Sequence, residues 1–257
     1  MRTNYHTHTY RCGHASGTEE DYILEAIDKK ISILGFSDHG PFKEDSEDYK
    51  MKFETFPDYL STIDNLKEKY KNKIEILKSV EIEYFPNKIS FYEELLSEYK
   101  LDYLLLGQHF YLKDDKVLPF SSITDTSYFV DYANAVKKAL DTKLFTIIAH
   151  PDFFAKNKFP WDYNCDKASE IIIDAAINNN VFLEINANGI RVGLQDFPEG
   201  ERYIYPCKQF WDKVSNTNAK VLINSDCHNP KHLWDDSMNI AYDLAEKWNI
   251  SIKDTIS

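Results

Sequence analysis

The 257-residue sequence predicts an α/β fold on a mainly parallel sheet, and three observations carry that expectation. Seven short apolar runs alternate with segments of helical period, the pattern of right-handed βαβ units. Connections are short from helix to strand and long from strand to helix. No Pro/Gly/Ser-rich linker, low-complexity tract or fixed-period repeat interrupts the chain, so one domain over 1–257 is expected.

In chain order, the strands are expected at Thr3 to His6, Ile31 to Ser37, Ile74 to Glu81, Asp102 to Gly107, Leu144 to Ala149, Val181 to Ile185 and Lys220 to Asn224. After the first, Thr18 caps a helix whose first turn carries Glu19, Glu20 and Asp21, where the helix dipole favours acids, and whose apolar stripe is Ile23, Ala26 and Ile27. Further helical stripes are Tyr59, Ile63, Leu66 and Tyr70, then Phe129, Tyr132, Ala133 and Val136, then Ala168, Ile171, Ile172 and Ala175. A helix-to-strand join such as Asn178 to Asn180 is minimal. The strand-to-helix joins Gly40 to Thr55, Tyr111 to Asp125, Pro151 to Asp166 and Asn186 to Tyr205 are long. Long loops therefore gather on one face, which in a closed (β/α) barrel is the C-terminal mouth where sites are built.

Composition narrows the function classes. Formal net charge is -12, from 42 acidic and 30 basic side chains, with no basic stripe, so nucleic acid is not an expected partner. No apolar run approaches the roughly 20 residues that span a bilayer, and the first residues hold no apolar leader. Four cysteines without a CxxC pair fit a reduced, cytoplasmic protein.

Seven of the eight histidines stand at or just beyond an expected strand end: His6, His8, His14, His39, His109, His150 and His228. Two carboxylates share that placement, Glu81 and Asp226. A partly buried imidazole needs a partner for each nitrogen, and a divalent metal satisfies one while a carbonyl or carboxylate satisfies the other. In His6-Thr7-His8 the two-residue spacing puts both rings on one face, and Asp226-Cys227-His228 repeats it at the last strand, which neighbours the first in a closed barrel. This N/O set suits Zn, Mn or Fe. Cys12 and Cys227 are expected to be buried neighbours, and His232 a surface residue.

An ordered series of motifs then appears: His6-Thr7-His8-Thr9, Cys12-Gly13-His14, Gly35-Phe36-Ser37-Asp38-His39, Val80-Glu81-Ile82-Glu83-Tyr84, Gly107-Gln108-His109-Phe110, Ala149-His150-Pro151-Asp152 and Asn224-Ser225-Asp226-Cys227-His228. Over essentially the whole chain this series resembles the PHP (polymerase and histidinol phosphatase) superfamily, and within it the bacterial PHP-type histidinol-phosphatases. The resemblance implies a distorted (β/α)7 barrel and three divalent ions. It implies that His6, His8, Glu81 and Asp226 hold the first, that His14, His39 and His228 hold the second, and that His109 and His150, with Glu81 bridging, hold the third. Glu81 and Asp226 are the candidate catalytic carboxylates. Glu83 is the candidate contact for a substrate imidazole or amine.

Three divalent ions against two carboxylates make an anion trap suited to a phosphate monoester, attacked in line by hydroxide generated at the metals. The implied activity is hydrolysis of L-histidinol phosphate to L-histidinol and phosphate, a step of histidine biosynthesis. The chain has four arginines, and Arg191, in the loop after the sixth strand, is the candidate phosphate clamp because a planar fork binds phosphate bidentately. Where the family often carries a second basic residue, this chain has Lys156 and Lys158, and Lys158 is taken as a substrate contact. Tyr84, Phe110 and Trp161 are candidate pocket walls. The alternatives are a PHP phosphoesterase for another small phosphomonoester, a nucleotide or phosphotyrosine, a metal-dependent amide or lactone hydrolase, and a non-catalytic metal scaffold. The oligomeric state is open.

Overall fold

Parallel pairing links β1 (Thr3–Asn4), β2 (Ile33–Phe36) and β3 (Glu75–Lys78) in that order. A second parallel run joins β4 (Glu81–Ile82), β5 (Leu105–Leu106), β8 (Ile147–Ile148), β9 (Phe182–Asn186) and β12 (Val221–Asn224). Two antiparallel hairpins lie outside these runs: β6 (Phe110–Lys113) with β7 (Lys116–Pro119), and β10 (Leu194–Phe197) with β11 (Gly200–Tyr203). The helices are α1 (Glu19–Asp28), α2 (Phe56–Tyr70), α3 (Ile89–Ser97), α4 (Ser127–Asp141), α5 (Tyr163–Asn179), α6 (Ala187–Arg191), α7 (Lys208–Val214) and α8 (Asp236–Lys247). This is a computed structural model that describes residues 1–44, 49–113 and 116–256; residues 45–48 and 114–115 of two expected long loops lie outside the described residues.

The two parallel runs close into a seven-stave barrel through irregular seams. At β1 and β12, the Tyr5 N–H donates to Asn224 Oδ1 at 2.8 Å, Asn4 Nδ2 to Ser225 Oγ at 2.6 Å, and the His8 N–H to the Cys227 carbonyl at 3.0 Å. Side chains here replace a ladder that the strands are too short to make. The strand expected over Ile74–Glu81 is two strands, β3 paired with β2 and β4 paired with β5, and Ser79 stands between them with bonds to both sides. Its N–H donates to the Phe36 carbonyl and its hydroxyl to the Tyr103 carbonyl, both at 2.8 Å. The step carries Glu81 to the mouth, bridged to His39.

Alternation along each stave separates two apolar layers. Tyr5, Ile33, Tyr103, Leu105, Ile147, Phe182 and Leu222 plug the barrel interior. Leu34, Phe36, Leu106, Ile148, Leu183, Ile185 and Ile223 belong instead to the larger core shared with the helices. Each such aliphatic side chain, fully buried, contributes about 1.5–3 kcal/mol. Gly35 is required at its place, since a Cβ there would stand 2.1 Å from the Tyr103 hydroxyl that crosses the barrel to the Tyr5 carbonyl.

The Thr18 cap is present with its reciprocal Asp21 partner. The expected loops 111–125 and 186–205 hold more order than their lengths predict, namely the two hairpins and α6. No helix of the described residues is long and apolar enough to cross a membrane, and all four thiols are free and buried.

Candidate active site

Glu81 is the centre of the barrel mouth. Its Oε2 lies 3.3 Å from His6 Nε2, 3.5 Å from His8 Nε2 and 3.1 Å from His39 Nδ1. Its Oε1 lies 3.4 Å from His109 Nε2 and 3.2 Å from His150 Nε2. Five imidazoles from four separate segments thus converge on one buried carboxylate. Asp226 closes the other side, with Oδ1 at 3.1 Å from His8 Nε2 and 3.5 Å from His6 Nε2. His228 stacks on His8 with ring centroids 4.3 Å apart, and its Nε2 meets His14 Nε2 at 3.0 Å. The seven strand-end histidines and both carboxylates therefore form one cluster. Although β1 ends at Asn4, short of the motif, Thr7 bridges to Cys227 and the two flanking rings still meet, Nε2 to Nε2, at 3.0 Å.

The donor set fits divalent metal. Ligand atoms held about 2.0–2.2 Å from a common ion stand roughly 2.8–3.6 Å from one another, the range of the contacts above. Groups able to hold an ion include His6, His8 and Glu81; His39, Glu81 and His109; and His8, His39 and His228. Cys12 joins a further group with His14 and His228. Burial, reinforced by His228, lowers the His8 pKa to about 3, and burial likewise keeps His39 and His228 neutral, the state with a lone pair to give. Burial opposes charge on Glu81 and Asp226, yet the facing imidazoles, His6 foremost, hold both carboxyls well below the usual range. Against burial, Glu184, Asp226 and Glu81 raise His6 well above its ordinary value, and Glu81 and Glu83 raise His109 to about 10, so a metal binding these two rings would displace a proton from each.

Backbone strain marks two of these positions. His150 (φ 32°) and Asp226 (φ 44°) sit in the left-handed region, costing about 1–3 kcal/mol each. Hydrogen bonds hold them there: the His150 N–H donates to Glu184 Oε2 at 3.0 Å, and Asp226 Oδ2 accepts from Asn186 Nδ2 at 3.1 Å.

Glu184 is the residue that motif reading missed. Fully buried on β9, it accepts from His6 Nδ1 at 2.8 Å, which leaves His6 Nε2 to face the cluster with its lone pair. It also accepts from Asn224 Nδ2 at 2.9 Å and Asn186 Nδ2 at 2.7 Å. The available signal was Phe182-Leu183-Glu184-Ile185-Asn186, in which period two sends an acid and an amide to the inner face of an apolar strand.

The cluster floors a cavity of about 510 Å³ whose walls add Phe153, Asn188, Arg191, Tyr205 and His232. His232, expected at the surface, is exposed yet lines this mouth. Tyr84, Phe110 and Trp161 do not line it; Phe153 and Tyr205, ring centroids 5.8 Å apart, supply the aromatic wall.

Of the three expected substrate contacts, Glu83 and Lys158 lie off the cavity wall and Arg191 reaches it. Glu83 lies past the end of β4 and behind the cluster, with Oε1 3.3 Å from His109 Nδ1 and Oε2 3.2 Å from Lys50 Nζ, so it supports His109 and does not open to the cavity. Lys158 is exposed, with Nζ 5.6 Å from the Phe197 ring, away from the cavity wall. Arg191 reaches the wall but spends its fork on protein. Asp235 takes Nε at 2.8 Å and Nη2 at 3.2 Å, while Nη1 reaches the Ser225 carbonyl at 3.1 Å and Asn188 Oδ1 at 3.3 Å, and Nη2 the His232 carbonyl at 3.2 Å. In this arrangement Arg191 positions the strand end that presents Asp226. Arg191→Ala is accordingly expected to lower kcat and metal retention while KM for a phosphate ester changes less than about threefold. Steady-state kinetics with metal analysis check this, and a raised KM at unchanged kcat would restore the clamp.

Fold and site together define a parallel (β/α) barrel with a histidine-rich candidate metal centre at its C-terminal mouth. The PHP domain family model matches residues 4–188, and the chain belongs to that family. Curated relatives include a protein of Tolumonas auensis named "Probable phosphatase", 30% identical over 92% of this chain and 82% of its own length. A "Probable histidinol-phosphatase" of Deinococcus radiodurans is 24% identical over 88% of this chain and 85% of its own. Among solved structures, histidinol phosphate phosphatase of Lactococcus lactis, complexed with zinc, L-histidinol and phosphate, superposes with a TM-score of 0.75 at 18% identity, covering 98% of this chain and 95% of that one. That likeness is one of fold.

Proposed function

We propose that residues 1–257 act as one PHP metallophosphoesterase domain that hydrolyses L-histidinol phosphate to L-histidinol and phosphate, in the cytoplasm and as a step of histidine biosynthesis. The observation that carries this reading is the single carboxylate of Glu81 surrounded by five imidazole nitrogens within 3.1–3.5 Å at a barrel mouth. The relatives named histidinol-phosphatase, and the zinc, histidinol and phosphate held by the Lactococcus protein, support the substrate.

In this reading three divalent ions, Zn, Mn or Fe, would be held by His6, His8, Glu81 and Asp226, by His14, His39 and His228, and by His109 and His150 with Glu81. When bound they supply the positive charge that neutralises phosphoryl oxygens and acidifies water, for a reaction whose barrier must fall by on the order of 20 kcal/mol. The chain's own side chains do the rest. Glu184 holds the His6 tautomer, Asn186 and Asn188 orient Asp226, and Glu83 with Lys50 steadies His109. Phe153 and Tyr205 wall the space above His150, where they displace water and give the alcohol portion of the ester an apolar surface.

Metal analysis of the protein as isolated, with kcat/KM over a panel of L-histidinol phosphate, a nucleoside monophosphate, phosphotyrosine and p-nitrophenyl phosphate, tests the proposal. Two to three metal equivalents per chain are expected, with histidinol phosphate preferred about a hundredfold over the other esters. A flat profile would replace the substrate, and no turnover with any metal would remove the phosphatase itself.

A further inference from the structure

We propose that His232 delivers the proton that the departing alcohol oxygen takes up, a role that rests on the phosphomonoesterase reading above. His232 shares the cavity with the imidazole cluster but belongs to none of the groups able to hold an ion, and its ring has no partner among the described residues. Its backbone, by contrast, is pinned. It ends the one-turn helix Pro230–His232, capped by Asn229, whose Oδ1 accepts from the Lys231 N–H at 3.0 Å. The His232 N–H donates to the Asn229 carbonyl at 2.9 Å, and its carbonyl accepts from Arg191 Nη2 at 3.2 Å. The next residue, Leu233, is fully buried, and its carbonyl accepts from Asn4 Nδ2 at 3.2 Å. A fixed main chain thus holds a solvent-exposed imidazole at the mouth of the cavity that Phe153 and Tyr205 also line.

The other lining groups are poor proton donors. The fork of Arg191 is occupied by Asp235, Asn188 and two carbonyls. Burial pushes the Tyr205 hydroxyl well above its ordinary range. Asn188 does not ionise, and His14, His39, His109, His150 and His228 belong to the cluster around Glu81 and Asp226. His232, an imidazole open to water, is the lining group left to give a proton to the departing oxygen and recover it from solvent.

The step balances as follows. The oxygen of the attacking water forms the new P–O bond while the P–O bond to the alcohol breaks. That bond's electron pair passes to the alcohol oxygen, which takes the N–H proton of the His232 imidazolium. The proton lost by the attacking water goes to solvent, and solvent recharges the exposed ring, so one water is consumed per ester.

A proton donor to the leaving group matters for a poor leaving group and not for a good one, a distinction that a merely structural role lacks. The test compares His232→Ala and His232→Gln with the unaltered, metal-loaded protein on L-histidinol phosphate, whose leaving group is an alkoxide, and on p-nitrophenyl phosphate. A fall in kcat of about 10²–10⁴-fold on the alkyl ester is expected in both variants, with a fall of less than about threefold on the nitrophenyl ester and unchanged metal content. Equal losses on the two esters, no loss on either, or rescue of the alkyl ester by glutamine would each overturn the assignment. Unaltered protein that hydrolyses neither ester would instead defeat the phosphatase reading, and this step with it.

Discussion

Glu81→Gln should cost more than about a hundredfold in kcat/KM and leave at most one metal equivalent where the unaltered protein holds two to three. The substitution keeps the shape of the side chain and removes its charge. Five imidazoles, from His6, His8, His39, His109 and His150, face its two oxygens, against three that face Asp226. Loss of a partner that only supports a ligand typically costs 10–100-fold in metal affinity or activity, and a bridging carboxylate should exceed that. The amide also presents N–H donors where ring nitrogens offer lone pairs, which forces at least one imidazole to turn. Metal analysis of the purified variant beside its kinetics decides the matter; full occupancy with near-normal turnover would mean that Glu81 does not bridge.

Gly107→Ala is expected to disable the same centre from behind. A Cβ at this position would stand 2.2 Å from Glu81 Oε1 and 2.5 Å from both Cδ and Cγ, distances that real Cβ atoms do not show. The carboxylate has no room to retreat, since imidazoles surround it and only about 2% of the residue is exposed. Overpacking of this kind costs about 1–3 kcal/mol, and the larger effect is displacement of the carboxylate from its partners. The variant should therefore lose metal and activity nearly as completely as Glu81→Gln, with a lower midpoint in denaturant. Wild-type kcat in Gly107→Ala would show that the glycine is incidental. Gly107 stands directly before Gln108-His109, and its proximity in sequence to a candidate ligand hid its actual task, which is to accommodate a residue on the neighbouring stave.

Much of the mouth was legible because each cluster residue follows a recognisable apolar run. His6, His39, Glu81, His109, His150 and Asp226 sit where strands end, and the common direction of parallel strands gathers such ends on one side. The supports were harder to read. Glu184 lies inside β9, where a strand pattern gives no hint that its carboxylate will bond to His6 from β1, 178 residues away. The third stave reads as continuous from Ile74 to Glu81, yet its pairing passes from β2 to β5 at Ser79, whose N–H meets the Phe36 carbonyl and whose hydroxyl meets the Tyr103 carbonyl. Both outcomes depend on partners distant in sequence.

Local chemistry, expressed as strand and helix period, cap residues and ligand-type side chains at strand ends, was enough to name the architecture and nearly all of the cluster. Which polar group faces which was settled only on closure of the barrel. Arg191 reaches the cavity wall, but packing brought Asp235 and the Ser225 and His232 carbonyls within reach of its fork, and a half-buried guanidinium takes the acceptors nearest to it. Hydrogen-bond partnership depends on distance and direction to within a few tenths of an ångström, and residue order along the chain does not carry that information.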